Sequence, residues 1–345
     1  LKKDEKQYII IEIKKRGEKM EKLINNGKIL EIRTGSHLYG LSTPSSDKDY
    51  AGIFLAPWKY HIGLHKLEQI DLGIESKLEN GKNSFKAVDR TFYELKRFVA
   101  LAAGNNPNIM ELLFVDEDNI IYINEYGKKL LDNRHLFLSQ KLIEKFSGFA
   151  NSQKHKLYVK KENLEKLYSA RDFIKEMIEK YKSDKIFLPE MRKEENFGKN
   201  FIQRDIKGDV YRIGEYNINS NLTLKNVCEL IEKIIRESSN RQELIKQSGY
   251  DTKYASHLVR LLLEAIEILT TGNLVYPLQE RELIMKIKMG EIKFEKVIEL
   301  VEELEIKLKK FEDTPELIVI PKSVDIEAIE KLVIEIYKDF LLKGE

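Results

Sequence analysis

The sequence predicts an α/β module followed by a mostly helical one. Three observations carry that prediction. Short runs of strand character alternate with amphipathic stretches before about residue 115, and apolar residues recur at helical spacing from about Leu136 onward. A chain of 345 residues that is 42% hydrophobic, with 16 Tyr and 15 Phe, is also long and apolar enough for two domains with real cores.

Taken in order, Tyr8, Ile11, Met20, Leu23 and Ile24 mark one face of a helix over 4–25, and Asn26-Gly27 reads as its C-cap. Residues 28–33 read as a strand, and 35–41 as a Gly-Ser loop with one helical turn. A turn at 42–46 leads to a second strand over 49–55. After loop and short pieces, 84–91 is a third strand. Phe92, Leu95, Phe98, Val99 and Ala102 share a helical face that Gly104 ends, and Asn106-Pro107 opens the next helix. Helical periodicity then covers 138–180, 222–248, 252–271, 279–289 and 293–312. Residues 186–220 interrupt it, being polar with Gly198, Gly208 and Gly214, and read as an inserted loop or small hairpin. A β-branched run over 317–320 precedes a last helix from Asp325. The partition expected is 1–115 as the α/β module with its N-terminal helix, 116–312 as the helical domain, and 313–345 as a C-terminal segment and helix.

Charge and cysteine content narrow the function classes. With 59 Lys+Arg against 57 Asp+Glu, the net charge is +2, which excludes a globally basic nucleic-acid coat but not a local basic face. The single cysteine, Cys228, excludes a disulfide framework and any multi-cysteine metal site. No apolar run reaches the roughly 18 residues that span a bilayer. The start, Leu1-Lys2-Lys3-Asp4-Glu5, does not read as a signal peptide, so the expectation is a cytoplasmic protein.

The stretch that points to chemistry is 35–53. Gly35 and Ser36 leave backbone N–H groups and a hydroxyl free for phosphate oxygens. Asp47 and Asp49 stand two apart where the chain enters a strand, so both carboxylates face the same way, about 7 Å apart. Like charges that close are costly without a cation, and hard divalent ions suit carboxylates that leave other positions to phosphate oxygens. Asp89 in the third strand would complete a two-metal site, with Asp71 and Glu75 as competitors. The plainer reading of Ser-Asp-x-Asp alone is a turn or helix cap; the ordered set of strand, Gly-Ser, turn, Asp-x-Asp, strand and later Asp is what favours a metal site.

A second constellation lies at 251–262. Asp251 or Thr252 can cap a helix on which Lys253, His257 and Arg260 fall on one face, suited to a triphosphate, or else to solvent. Lys154, His155 and Lys156 read as a solvated face, and Asn106 and Glu111 as supports for the neighbouring loop and helix. Trp58, Tyr60, His61 and His65 read as core aromatics without a ligand set.

The pattern Gly35-Ser36 followed by Asp47-Lys48-Asp49 resembles the nucleotidyltransferase signature of the DNA polymerase β superfamily. Asp89, Glu94-Leu95, Asn106-Pro107, Glu111-Leu112 and the segments at 146–154 and 249–262 resemble one branch of it, the RNA-repair-associated (RlaP-type) nucleotidyltransferases, from about Arg33 to about Gly290. The resemblance implies an α/β (α+β) catalytic domain with a small mixed sheet, followed by a mostly α-helical domain. It implies transfer of an NMP from an NTP, with pyrophosphate released. Asp47, Asp49 and Asp89 would hold two Mg²⁺ ions, or Mn²⁺, with Gly35, Ser36, Lys253, His257 and Arg260 on the nucleotide. The acceptor it implies is an RNA end of tRNA type, and an RNA ligase or other repair protein is an implied partner. Two alternatives stay open on the residues: nucleotidylation of a protein or small molecule, and a nucleotide or RNA sensor without turnover.

Overall fold

The computed structural model describes residues 18–44, 46–74, 88–203, 210–238 and 248–342. These form two compact units. The first gathers 1–150, 259–285 and 301–345, and the second 151–258 and 286–300. The linear partition at 115 and 312 therefore does not hold. Strand β5, Ile120–Ile123, lies beyond 115 yet pairs with β1, and the helix Ile326–Leu342 belongs to the first unit, where the Tyr337 hydroxyl donates to Glu94. Sequence proximity cannot show such returns of the chain.

The first unit is built on a five-stranded mixed sheet in the order β3-β4-β2-β1-β5. Strands β1 (Lys28–Thr34) and β2 (Lys48–Phe54) are antiparallel, whereas β2 and β4 (Val88–Glu94) run parallel. Strand β3 (Gln69–Ile74) is antiparallel to β4 at the edge. It occupies the stretch read as loop and short pieces, although Ile70, Leu72 and Ile74 alternate with Gln69, Asp71 and Gly73 as a half-buried strand should. Of the third strand expected over 84–91, residues 84–87 lie outside the described residues. The strand runs on to Glu94, so Phe92 is a sheet residue and the helix begins at Leu95.

Alternation sorts the sheet into two faces. Phe54, Ile70 and Phe92 form one apolar cluster with Ile24 from the helical stretch 18–27 and with Ala56. Leu30, Ile32, Ala51 and Ile53, on the other face, are buried as well, and the helices Leu95–Ala103 and Pro107–Leu113 contact β2 and β1. That helix 18–27 leads straight into β1, so Gly27 is a close-approach glycine rather than a cap. A Cβ there would lie 2.0 Å from the Leu55 carbonyl oxygen. After Gly104 the left-handed position is taken by Asn105 (φ 52°), whose buried amide donates to the Phe137 carbonyl and accepts from the Ser139 hydroxyl. Asn106 then caps the helix Pro107–Leu113 by accepting from the Asn108 N–H.

The second unit takes the long helix Lys141–Tyr181 from Asn151 onward. Its core joins Leu167, Phe173 and Ile174 to Val227 and Ile231 of the helix Leu224–Ser238. The described residues of the insertion at 186–220 form two short helical pieces, Leu188–Lys193 and Phe197–Asn200, and then three short antiparallel strands, β6 (Ile202–Gln203), β7 (Val210–Ile213) and β8 (Tyr216–Asn219). Tyr211, Ile213 and Ile218 from that sheet complete the same core. Among the described residues no helix is long and apolar enough to cross a membrane.

Candidate functional site

The site grows from the connection between β1 and β2. After Thr34 the chain makes a run of tight turns that includes one helical turn not continued into a helix. The Tyr39 N–H donates to the Gly35 carbonyl at 3.2 Å and the Leu41 N–H to the Ser36 carbonyl at 2.8 Å. Gly35 (φ +65°) adopts a backbone that side chains resist, and a Cβ there would lie 2.3 Å from Asp49 Oδ2. Only glycine lets the loop backbone come so near that carboxylate. Gly35→Ala is accordingly expected to keep the fold, with a loss of about 1–2 kcal/mol for the forced left-handed residue. It is expected to cut any NTP-dependent activity by at least about tenfold, since it displaces Asp49. Thermal melts and initial rates on one preparation check both halves.

The register of the parallel pair then sets the acidic residues. Asp49 on β2 lies directly opposite Asp89 on β4, so both side chains leave the same face, on strands roughly 4.8 Å apart. Asp47 stands two residues ahead of Asp49, just outside β2. The opposite neighbour of Asp89 on β3 is Gly73, where even a Cβ would stay 3.4 Å from Asp89 Oδ1. Each carboxylate thus has a glycine beside it. The competitor Asp71 accepts from the Gln69 amide (2.8 Å) and the Thr91 hydroxyl (3.0 Å), which occupy its oxygens. Glu75 lies outside the described residues.

Among the described residues no three His, Cys, Asp or Glu side chains come close enough together to hold an ion. The Asp49–Asp89 pair nevertheless fits a hard divalent cation of the kind that takes one or two carboxylates and completes its octahedron from phosphate oxygens and water.

The second constellation divides. Asp251, not Thr252, caps the helix Thr252–Thr271, accepting from the N–H groups of Lys253 and Tyr254. Lys253 is exposed and His257 half-buried, and both belong to the second unit. Arg260 does not share their situation. It lies in the first unit, is 2% exposed, and donates through Nη1 to Glu111 Oε1 and Glu264 Oε1, both at 2.5 Å. The expectation that it binds nucleotide is corrected: its guanidinium is a buried structural cation. Glu111 is buried with it, as a support rather than a surface group.

Three partners in that cluster, Tyr39, Glu264 and Tyr276, escape the sequence reading. One signal was available. Leu258, Val259, Leu261, Leu262, Ala265 and Ile266 surround Arg260 and Glu264 on a helix that is apolar nearly all round, and such a helix is buried. Elsewhere, Trp58 is 51% exposed and so is not core, whereas His61 is anchored by a 3.0 Å hydrogen bond with the Ala56 carbonyl. Lys156 lies 6.0 Å from the centre of the Tyr254 ring. Burial raises the thiol pKa of half-buried Cys228, which keeps it protonated and unreactive.

Comparison with known proteins agrees with the motif. Residues 12–181 match the model of the family described as RlaP, RNA repair pathway DNA polymerase beta family. An uncharacterized 38.9 kDa protein from the nrdC–mobD intergenic region of Enterobacteria phage T4 is 27% identical over 288 residues. That alignment covers 78% of this chain and 85% of the phage protein.

Proposed function

We infer, from residues 12–181 of an RNA repair pathway DNA polymerase beta family type, that this protein moves a nucleoside monophosphate from an NTP to a hydroxyl at an RNA end. The observation that carries the reading is the in-register pairing of Asp49 with Asp89 beside Gly35. Asp49 and Asp89 are the side chains that would hold a divalent ion, Mg²⁺ or Mn²⁺, with Asp47 at the strand entrance the further carboxylate open to a second. Such ions, when bound, polarise the α-phosphoryl group and neutralise the charge developing on pyrophosphate. Gly35 and Ser36 offer N–H groups and a hydroxyl to the triphosphate oxygens. The acceptor oxygen bonds to the α-phosphorus as the bond to the β-bridging oxygen breaks. Pyrophosphate departs, and the hydroxyl proton passes to Asp89, an exposed carboxylate.

The RNA acceptor is supported by the family description; the chemistry by the site. Both are tested at once by incubating the protein with Mg²⁺ and each α-³²P NTP, with and without total RNA, on one denaturing gel. Label migrating with RNA of tRNA size is the expected result, and it names the nucleotide. Label on the protein alone would replace the RNA acceptor by a protein side chain. No label with any NTP and either metal ion would leave the sensor reading in its place.

A further inference from the structure

We propose that the buried chain of side chains Tyr39–Glu111–Arg260–Glu264–Tyr276 is a positioning device for the Gly35–Ser36 loop, with Arg260 acting through Tyr39 and not on the triphosphate. The inference rests on the nucleotidyl-transfer reading above, since it assigns that loop to phosphate. All five residues belong to the first unit.

Tyr39 sits three residues beyond Ser36, in the same run of turns. Its ring lies under the Arg260 guanidinium, 3.8 Å from the ring centre, and 5.8 Å from the Tyr276 ring. Its hydroxyl donates to Glu111 Oε2 at 2.5 Å, while Arg260 grips the other oxygen of the same carboxylate. Arg260 also holds Glu264, which accepts from the Tyr276 hydroxyl at 3.1 Å. The far end of the loop is seated beside the same element: a Cβ on Gly40 (φ +68°) would come within 2.8 Å of Pro277 Cβ. The loop is thus tied at Tyr39 and fitted at Gly40 against 276–277, three and four residues past the Gly-Ser pair.

Charge balance inside the cluster is consistent with a fixed device. Burial, with Glu111 as a nearby like charge, pushes the Glu264 carboxyl up to about 8 against the lowering pull of Arg260, so at neutral pH it is protonated. One guanidinium then faces one carboxylate, Glu111, in a buried setting. Apolar side chains of equal volume hold a core together as well as a buried ion pair does, but they do not orient a loop. The tyrosine hydroxyl and the forked guanidinium supply direction as well as adhesion.

Two variants test this, each read by direct binding of ATP, GTP, CTP and UTP with Mg²⁺ to folded protein, alongside a thermal melt. Tyr39→Phe keeps the ring and deletes the tie to Glu111. Arg260→Lys keeps the charge but loses the planar guanidinium stacked on the Tyr39 ring, and it serves if Tyr39→Phe does not fold. Either is expected to weaken binding of the preferred nucleotide by about 5–20-fold, as loss of sub-ångström placement does, well below its melting temperature. Wild-type affinity in both folded variants, whatever their melting temperatures, overturns the positioning role and leaves nucleotidyl transfer standing. A wild-type protein that binds none of the four nucleotides would instead sink the nucleotidyl-transfer reading, and this inference with it.

Discussion

Asp49→Asn is expected to lower Mg²⁺-dependent nucleotidyl transfer by at least about 10³-fold while leaving the protein folded. The carboxylate lies at the start of β2, half-exposed, opposite Asp89 and beside Gly35. The amide occupies the same volume, so the β1–β2–β4 register has no reason to change. What it removes is one negative charge from a donor set that hard cations require. Metal-borne stabilisation of phosphoryl transfer amounts to several kcal/mol, and each 1.36 kcal/mol is a factor of ten in rate. Asp89→Asn is expected to behave alike, whereas Asp71→Asn, whose oxygens already serve Gln69 and Thr91, is expected to lose less than about tenfold. Initial rates at saturating Mg²⁺ and NTP, with circular dichroism of each variant, decide the matter. Activity within threefold of wild type in Asp49→Asn would remove Asp49 from the ligand set.

Glu111→Ala is expected to cost about 3 kcal/mol of stability, at the lower end of the 3–5 kcal/mol typical for breaking a buried charge pair. Glu111 is 3% exposed and binds both Tyr39 and Arg260. Its loss strands the tyrosine hydroxyl, but Arg260 keeps Glu264, which can then ionise in its place and moderate the penalty. The same coupling gives a pH signature in the wild type. The Glu264 carboxyl is raised above its unfolded value, so its contribution to stability is complete below about 4.5 and is lost as pH rises through about 8. Glu264→Gln cannot ionise and is expected to flatten stability across that window. Urea titrations between pH 5 and 9 measure both effects. A loss below about 1 kcal/mol in Glu111→Ala would mean that the cluster is wetter than its burial indicates.

Much of the first unit was legible because its signals are local. Strands β1 and β2 follow from alternation, the turns between them from Gly, Ser and Pro, and the Asp-x-Asp pair from its place at a strand entrance. Strand β3 was equally legible in its alternation, but its polar positions, Gln69, Asp71 and Gly73, resemble loop composition. The helix Thr252–Thr271 was legible as a helix and misjudged by face. Lys253, His257 and Arg260 do share i, i+4, i+7 spacing, yet burial changes along the helix from exposed Lys253 to buried Arg260.

The amino-acid sequence by itself determined the mixed α/β start, the helical remainder, the Gly-Ser loop, and the acidic pair Asp47 and Asp49 at the mouth of a strand. These depend on periodicity, turn chemistry and spacing within a few residues. Only the tertiary structure decided that Asp89 is the residue facing Asp49, that β5 closes the sheet beyond the expected boundary, and that Arg260 turns inward to a carboxylate 149 residues away. Register between parallel strands and the burial of a charge are settled when distant segments close on one another, and no local pattern records which carboxylate a guanidinium will meet there.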